Sequence, residues 1–305
     1  VASRLGSLNM AGLAAGLVRG MRPHQWTKNV LVLAAPLAAG VIFEQGVLVE
    51  TLIALAAFCL ASGGTYLIND ANDVEADRLH PRKRHRPVAS GAVPVPVAYG
   101  FGVASIVAAA AMGFLVAVPL GATIAGYVVL TTTYSLWLKR VAVVDLVAVS
   151  AGFVLRAVAG AAATDVPISP WFFIVASGGA LLMVTGKREA ELASADGSSE
   201  TRAVLSQYTR GFLASVRTVA TTMALMAYCL WAFEPGSAIS ESGLAVGSVA
   251  FQLSIAPFGL AVLRYSLLID AGEGEEPERL VLKDRTLLVA GALWAIIYGY
   301  GVYVA

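Results

Sequence analysis

Three carboxylates crowd one short stretch, Asn69-Asp70-Ala71-Asn72-Asp73-Val74-Glu75-Ala76-Asp77. Asp70, Asp73 and Asp77 are spaced three, four and seven residues apart, which on a helix puts them on one face. Like charges stacked so closely repel one another unless a cation lies between them. Carboxylates with open coordination positions suit Mg²⁺, which prefers oxygen ligands and commonly shares itself with substrate phosphates. Asn69 adds a neutral oxygen at the same rim. A solvated acidic helix end is the plainer reading. Against it, the stretch emerges directly from an apolar run, and acids at membrane depth mark functional sites.

The chain continues Asp77-Arg78-Leu79-His80-Pro81-Arg82-Lys83-Arg84-His85-Arg86-Pro87. A basic loop beside an acidic, metal-binding face is what a diphosphate substrate requires. The metal neutralises the leaving group while Arg and Lys hold the remaining phosphate oxygens. Arg82, Lys83 and Arg86 are the candidates for that contact. Arg84 is read as an ordinary cation of a cytoplasmic loop.

The elements that position these residues are membrane helices. The chain has 305 residues, 58% hydrophobic and 13% charged, with a mean hydropathy of +0.75. Soluble domains carry about 25% charged residues, so an ordinary water-soluble core is excluded. A bilayer-spanning helix needs about 20 mostly apolar residues. Nine such runs lie near 29–43, 51–69, 97–116, 121–138, 142–162, 170–186, 212–233, 243–263 and 286–305. The third and fourth are separated by the tight turn Val118-Pro119-Leu120-Gly121. The expected fold is therefore all-α, a polytopic bundle of nine transmembrane helices. Residues 1–28 form an N-terminal cytoplasmic or interfacial segment, and 29–305 a single nine-helix catalytic domain.

Lys and Arg alternate along this pattern. They precede the first run (Arg4, Arg19, Arg22, Lys28), follow the second and fourth, surround the sixth-to-seventh connection, and lie between the eighth and ninth (Arg264, Arg279, Lys283, Arg285). The alternate connections at 44–50, 117–121, 163–169 and 234–242 hold none. By the positive-inside rule the N-terminus is cytoplasmic, the C-terminus lies outside, and the acidic rim faces the cytoplasm of a cell (inner) membrane. Leu8–Arg22 reads as a helix lying on the cytoplasmic surface rather than a signal peptide. Cys59 and Cys229 fall inside apolar runs with no metal or disulfide spacing and read as packing residues. Nothing points to nucleic acid, haem or a nicotinamide cofactor, and a homo-oligomer is left open.

Asn69-Asp70-x-x-Asp73-x-x-x-Asp77 resembles the first aspartate-rich motif of the UbiA superfamily of intramembrane prenyltransferases. The resemblance implies nine transmembrane helices around a cytoplasm-facing cavity. It also implies a second acidic motif, DxxxD, between the sixth and seventh helices. Here that segment reads Gly186-Lys187-Arg188-Glu189-Ala190-Glu191. Glu191 is the one acid at a ligand-like position, with two cations beside it, which argues against a prenyl diphosphate donor. Further motifs are similar to one branch, the decaprenyl-phosphate phosphoribosyltransferases. They are Arg22-Pro23-x-Gln25-Trp26-x-Lys28-Asn29, His80-Pro81-x-Lys83-Arg84-x-Arg86-Pro87, Leu155-Arg156-Ala157-x-Ala159-Gly160, Trp231-Ala232-Phe233-Glu234 and Leu263-Arg264-Tyr265. That branch implies Mg²⁺-dependent transfer of 5-phosphoribose from phosphoribosyl diphosphate to a polyprenyl (decaprenyl) phosphate, on the route to the arabinose donor of cell-wall arabinan.

The physics agrees with that reaction. Both partners carry phosphate, and two unit charges 4 Å apart repel by about 4 kcal/mol at an effective dielectric of 20. Lys187 and Arg188 add the cations that offset this. The acceptor phosphate is already an anionic nucleophile, so no strong base is needed, in keeping with only three histidines, His24, His80 and His85. Arg156, eleven residues after Asp145 and on the same face of the fifth run, is either a structural ion pair with another helix or a contact to substrate phosphate in the cavity floor. Lys28 binds phosphate or anchors at the interface, and Tyr66 lines the cavity one turn before Asp70. Arg202 and Tyr208 belong to a connection able to close as a lid. Two other readings remain: prenyl transfer to an aromatic acceptor, which requires the missing second acidic motif, and a transporter with an acidic cation site, which would place that site near the bilayer midplane.

Overall fold

The computed structural model describes residues 10–193, 204–234, 246–274 and 277–304. Among them every regular element is helical. The order is α1 (Met10–Gly20), a 3-10 helix over Pro23–Leu33, α2 (Ala34–Ala38), α3 (Val47–Asn72), α4 (Val74–Leu79), α5 (Val95–Val116), α6 (Val118–Leu136), α7 (Val144–Thr164), α8 (Pro170–Ala193), α9 (Arg210–Ala232), α10 (Val246–Asp270), α11 (Pro277–Lys283) and α12 (Arg285–Tyr303). Seven of these, α3, α5, α7, α8, α9, α10 and α12, are long and apolar enough to cross a membrane. Large apolar side chains such as Leu115, Val129, Leu253 and Ile296 stand exposed around the bundle, a coat that only lipid covers without cost. The chain is a multi-pass membrane protein.

Two expected elements differ. The run at 29–43 is not one helix: an 11-residue 3-10 helix leads into the five-residue α2. Runs of 3-10 helix longer than three or four residues are uncommon and mark strain or function. The turn expected at Val118–Gly121 shrinks to one residue, Ala117 (φ −158°, ψ 142°), and α6 starts at Val118. Pro119 fits there because the first turn of a helix needs no N–H from it. The remaining runs form α3 and α5 to α10 with α12, mostly lengthened by a few residues; α8 carries on to Ala193, so Lys187–Glu191 are helical rather than loop.

Sequence-adjacent packing dominates: α3 lies along α5, α8 along α9, and α10 along α12. The first half of the bundle packs Phe58, Leu120, Ile124 and Tyr127 against alanines of α3 and α7. The second packs Leu182, Tyr265, Ile269 and Leu287. Small residues let the backbones approach, as in other membrane bundles. The closest approach is at Gly160 of α7, where a Cβ would lie 1.8 Å from the Val32 carbonyl oxygen. The irregular first segment is thus seated directly on α7, which fixes Asn29, one 3-10 turn earlier, inside the bundle.

Gly160→Ala forces the 3-10 segment off α7 and should lower unfolding stability in detergent by about 1–3 kcal/mol or more, the range of overpacked cores. Gly126→Ala, which meets nothing within 4 Å, should leave the thermal midpoint unchanged.

Candidate functional site

The acidic face forms at the end of α3, but not as one continuous helix. Asp73 ends α3 and begins α4 with φ −92° and ψ 9°. Its carbonyl still accepts from the Asp77 N–H at 2.8 Å, so the turn is bent rather than broken. The bend divides the carboxylates: Asp70 and Asp77 are buried, at 1% and 2% exposure, while Asp73 is exposed. Asn69 donates its side-chain amide to Ser135 Oγ at 3.0 Å. Among the described residues no three His, Cys, Asp or Glu side chains converge as a metal site.

Arginines occupy the space between the buried carboxylates. Arg86 Nη1 donates to Asp77 Oδ2 at 2.7 Å and to Asp70 Oδ1 at 3.2 Å. Arg22 Nη2 donates to the same Asp70 Oδ1 at 2.5 Å, and its guanidinium lies 4.8 Å above the Tyr66 ring. Arg22 holds φ 55° and ψ 63°, a left-handed conformation that costs a non-glycine residue on the order of 1–3 kcal/mol and that turns the chain from α1 into the 3-10 helix. The other Asp70 oxygen, Oδ2, is buried with no hydrogen-bond partner. Leaving such an atom unsatisfied costs about 1–3 kcal/mol, and oxygen donors of this kind are what Mg²⁺ takes. The carboxylates present therefore fit a hard divalent cation.

The flanking basic loop is partly engaged. Arg82 is exposed and Lys83 half-buried; both backbone N–H groups donate to His80 Nδ1, at 3.2 and 3.3 Å, and shape the turn that presents Arg86. Lys28 is half-buried on the 3-10 helix beside Asn29.

A second polar cluster joins the start of α7 to the end of α8. Asp145 is fully buried. Its Oδ2 accepts from Arg188 Nε at 3.0 Å, and Arg188 also donates to Tyr134 OH at 3.1 Å and to Glu191. The expected ligand-like acid Glu191 is therefore taken up by Arg188, and Lys187 Nζ stands 3.9 Å from its other oxygen. Arg188 is immobilised, whereas the Lys187 side chain is about half exposed. Tyr208 donates its phenol to Asp145 Oδ1 and accepts the Val143 N–H at 2.6 Å. Val143 has φ 69°, a genuine outlier for a β-branched residue. Tyr208 is thus a buried brace rather than part of an open lid. Arg202 lies outside the described residues.

Asp145 and Arg156 do not pair. Arg156, 6% exposed, donates from Nε to Asn29 Oδ1 at 2.8 Å, from Nη1 to the Gly152 carbonyl at 2.7 Å and from Nη2 to Tyr127 OH at 2.8 Å. Asn29 in turn donates to Ser62 Oγ at 3.3 Å and Cys59 Sγ at 3.4 Å. From the sequence Arg22 and Asn29 entered only as members of a motif, Arg22 also as a cytoplasmic cation, and Tyr127 and Tyr134 not at all. The signal for Asn29 was a lone amide entering an apolar run. For Arg22 nothing local could show a contact 48 positions away.

Fold and site together define a multi-pass, all-helical membrane enzyme with a paired-carboxylate and arginine centre at one end of its bundle, the class of the intramembrane transferases. The chain belongs to the UbiA prenyltransferase family, whose pattern matches residues 30–289. It is 41% identical over 297 residues to the decaprenyl-phosphate phosphoribosyltransferase of Corynebacterium glutamicum, covering 96% of this chain and 88% of that one. It is 40% identical over 297 residues to the protein of the same name from Mycolicibacterium smegmatis, covering 95% and 93%. In fold it is similar to a UbiA homolog from Archaeoglobus fulgidus bound to GPP and Mg²⁺, with a TM-score of 0.67 at 16% identity over 95% of this chain and 100% of that one.

Burial, then the hydrogen bond to Asp145, pushes the Tyr208 phenol up to about 12. An unfolded tyrosine loses its proton near pH 10, so between these values the native state holds the proton more tightly and stability falls as pH rises. The contribution is complete below pH 10 and gone near 12. The unfolding midpoint of the wild type should drop across that window relative to Tyr208→Phe; parallel curves would contradict the brace.

Proposed function

We propose that this protein transfers 5-phosphoribose from phosphoribosyl diphosphate to a polyprenyl phosphate, decaprenyl phosphate in the relatives' name, releasing pyrophosphate for cell-wall arabinan synthesis. One observation carries the reading. A buried carboxylate pair, Asp70 and Asp77, keeps one oxygen unsatisfied and is otherwise neutralised by two partly exposed arginines, Arg22 and Arg86. The near full-length identity to proteins named decaprenyl-phosphate phosphoribosyltransferase supports the donor and acceptor. The cations Lys187 and Arg188, where a second acidic motif belongs in a prenyl-diphosphate enzyme, favour it over prenyl transfer.

Asp70, Asp73 and Asp77, with Asn69, would hold Mg²⁺. When bound, the metal supplies counter-charge to the departing diphosphate. Arg86 and Arg22, released from their carboxylates, hold diphosphate oxygens together with Lys83, Arg82 and Lys28. Tyr66 walls the sugar. The C1–O bond to diphosphate breaks as the ribose gains oxocarbenium character, and an oxygen of the acceptor phosphate bonds C1 from the opposite face, with inversion. No side chain takes a proton, because the acceptor is already ionised. Lys187 offsets repulsion between the two phosphates, while Glu191 and Asp145 keep Arg188 pointed at the same space. Alternating Lys and Arg along the chain support a cytoplasmic position for this end in a cell-membrane enzyme, with the N-terminus inside and the C-terminus outside. Residues 1–28 lie at that surface and 29–305 form the catalytic domain. Arg202 belongs to the same reading as a further donor contact.

Purified protein incubated with Mg²⁺, a polyprenyl phosphate and labelled phosphoribosyl diphosphate should yield labelled lipid. Asp73→Ala should lower that rate at least about a hundredfold, as expected for loss of a charge-stabilising group, and still elute as a folded monodisperse species. Wild-type turnover by the variant would remove Asp73 from the site, and a prenylated aromatic product or cation flux without chemistry would overturn the reaction.

A further inference from the structure

Arg156 differs from every other arginine withdrawn from the surface among the described residues. Arg22, Arg86, Arg188, Arg217 and Arg264 each meet a carboxylate. Arg156 is more buried than any of them, yet its three partners are an amide oxygen, a backbone carbonyl and a phenol, all neutral. Rings of Tyr127 and Phe153 flank the guanidinium at 4.7 and 5.6 Å, which softens the charge without cancelling it. A full positive charge in a membrane segment is retained where function needs it.

Its donors are also not exhausted. A guanidinium has five N–H groups and these contacts use three, leaving one on each of Nη1 and Nη2. Tyr127 accepts from Arg156, so its own O–H proton remains to be given. Three donors at one positive centre match the oxygens of a phosphate monoester. Asn29 is the positioning residue: it fixes Nε from one side and is itself held by Ser62 and Cys59 of α3.

The location decides which phosphate. Ser62 lies eight residues before Asp70 on α3, about 12 Å along a helix axis, so the guanidinium sits roughly that far beneath the carboxylate pair. Tyr66 stands between, under Arg22 and within electrostatic reach of Tyr127. A pentose carrying diphosphate at C1 and phosphate at C5 has anionic ends separated by a comparable span. A prenyl chain entering from the same rim would lay hydrocarbon against an uncompensated cation.

We infer that Arg156, with Tyr127, is the receptor for the 5-phosphate of the donor sugar and thereby selects a phosphorylated pentose over a prenyl diphosphate. The inference rests on the proposed phosphoribosyl transfer. The acceptor lipid carries the same phosphate monoester chemistry, so the test separates the two sources.

Transfer is measured with phosphoribosyl diphosphate and with ribose 1-diphosphate, which lacks the 5-phosphate, at varied polyprenyl phosphate. The wild type should favour the phosphorylated donor. Arg156→Gln should raise KM for phosphoribosyl diphosphate about 10- to 100-fold, the range for losing hydrogen bonds to a charged group, while leaving KM for the lipid and turnover of ribose 1-diphosphate within about twofold. Equal losses with both donors, or a rise confined to the lipid KM, would overturn the assignment. Binding provides a metal-free readout: ribose 5-phosphate alone should raise the thermal midpoint of the wild type and of Asp73→Ala, but not of Arg156→Gln. Should Arg156→Gln fail to fold, Tyr127→Phe, which keeps the cation, should still weaken ribose 5-phosphate protection severalfold; unchanged protection would count against the subsite. A wild type that is protected by ribose 5-phosphate yet transfers nothing defeats the reaction and spares the subsite, and the reverse result defeats the subsite alone.

Discussion

A charge inside a helical membrane bundle must find its partner within the protein, because lipid offers none. This molecule meets that requirement in three ways. Asp70 meets Arg22 and Arg86, and Arg86 also holds Asp77. Asp145 is matched by Arg188 and a phenol. Arg156 is cradled by neutral dipoles. The first two are closed circuits of opposite charge, and the third stays open by one positive unit. The helix ends are where they are because these groups must meet.

The irregular opening segment is the device that lets them meet. A regular α-helix over 23–38 would carry Asn29 and Arg22 on a different repeat. The tighter 3-10 winding, the left-handed Arg22 and the glycine at position 160 together bring one segment into contact with both α3 and α7. One short piece of chain thereby ties the rim to the interior. Local strain at Arg22 and Val143 is held by the tertiary contacts around it, the usual arrangement at functional sites.

Much of this was legible in the sequence, and the illegible part has a physical cause. Apolar length pointed to an all-helical membrane bundle and to seven of the nine expected spans, while the runs at 29–43 and 121–138 do not form helices of that length and hydropathy; the spacing of Asp70, Asp73 and Asp77 marked the acidic rim. Spacing alone could not show the bend at Asp73 that exposes one acid and buries two, since the same residues suit a straight helix. The 3-10 winding was hidden because hydrophobicity over 29–43 reports burial, not pitch. Arg188 and Glu191 were read as separate contributors, yet at positions three apart they satisfy each other, a local pairing that competes with any ligand. Contacts such as Arg22 with Asp70, or Arg156 with Asn29, join residues 48 and 127 positions apart; no periodicity encodes them.

The Asp145–Arg188 pair also constrains which changes the protein tolerates. A wholly buried carboxylate is tolerable only while a cation faces it. Placing an acid at 188 alone would set two anions together in a dry interior, and neutralising 145 alone would strand the guanidinium. The two positions are therefore coupled: a change of charge at either is accommodated only with its complement at the other.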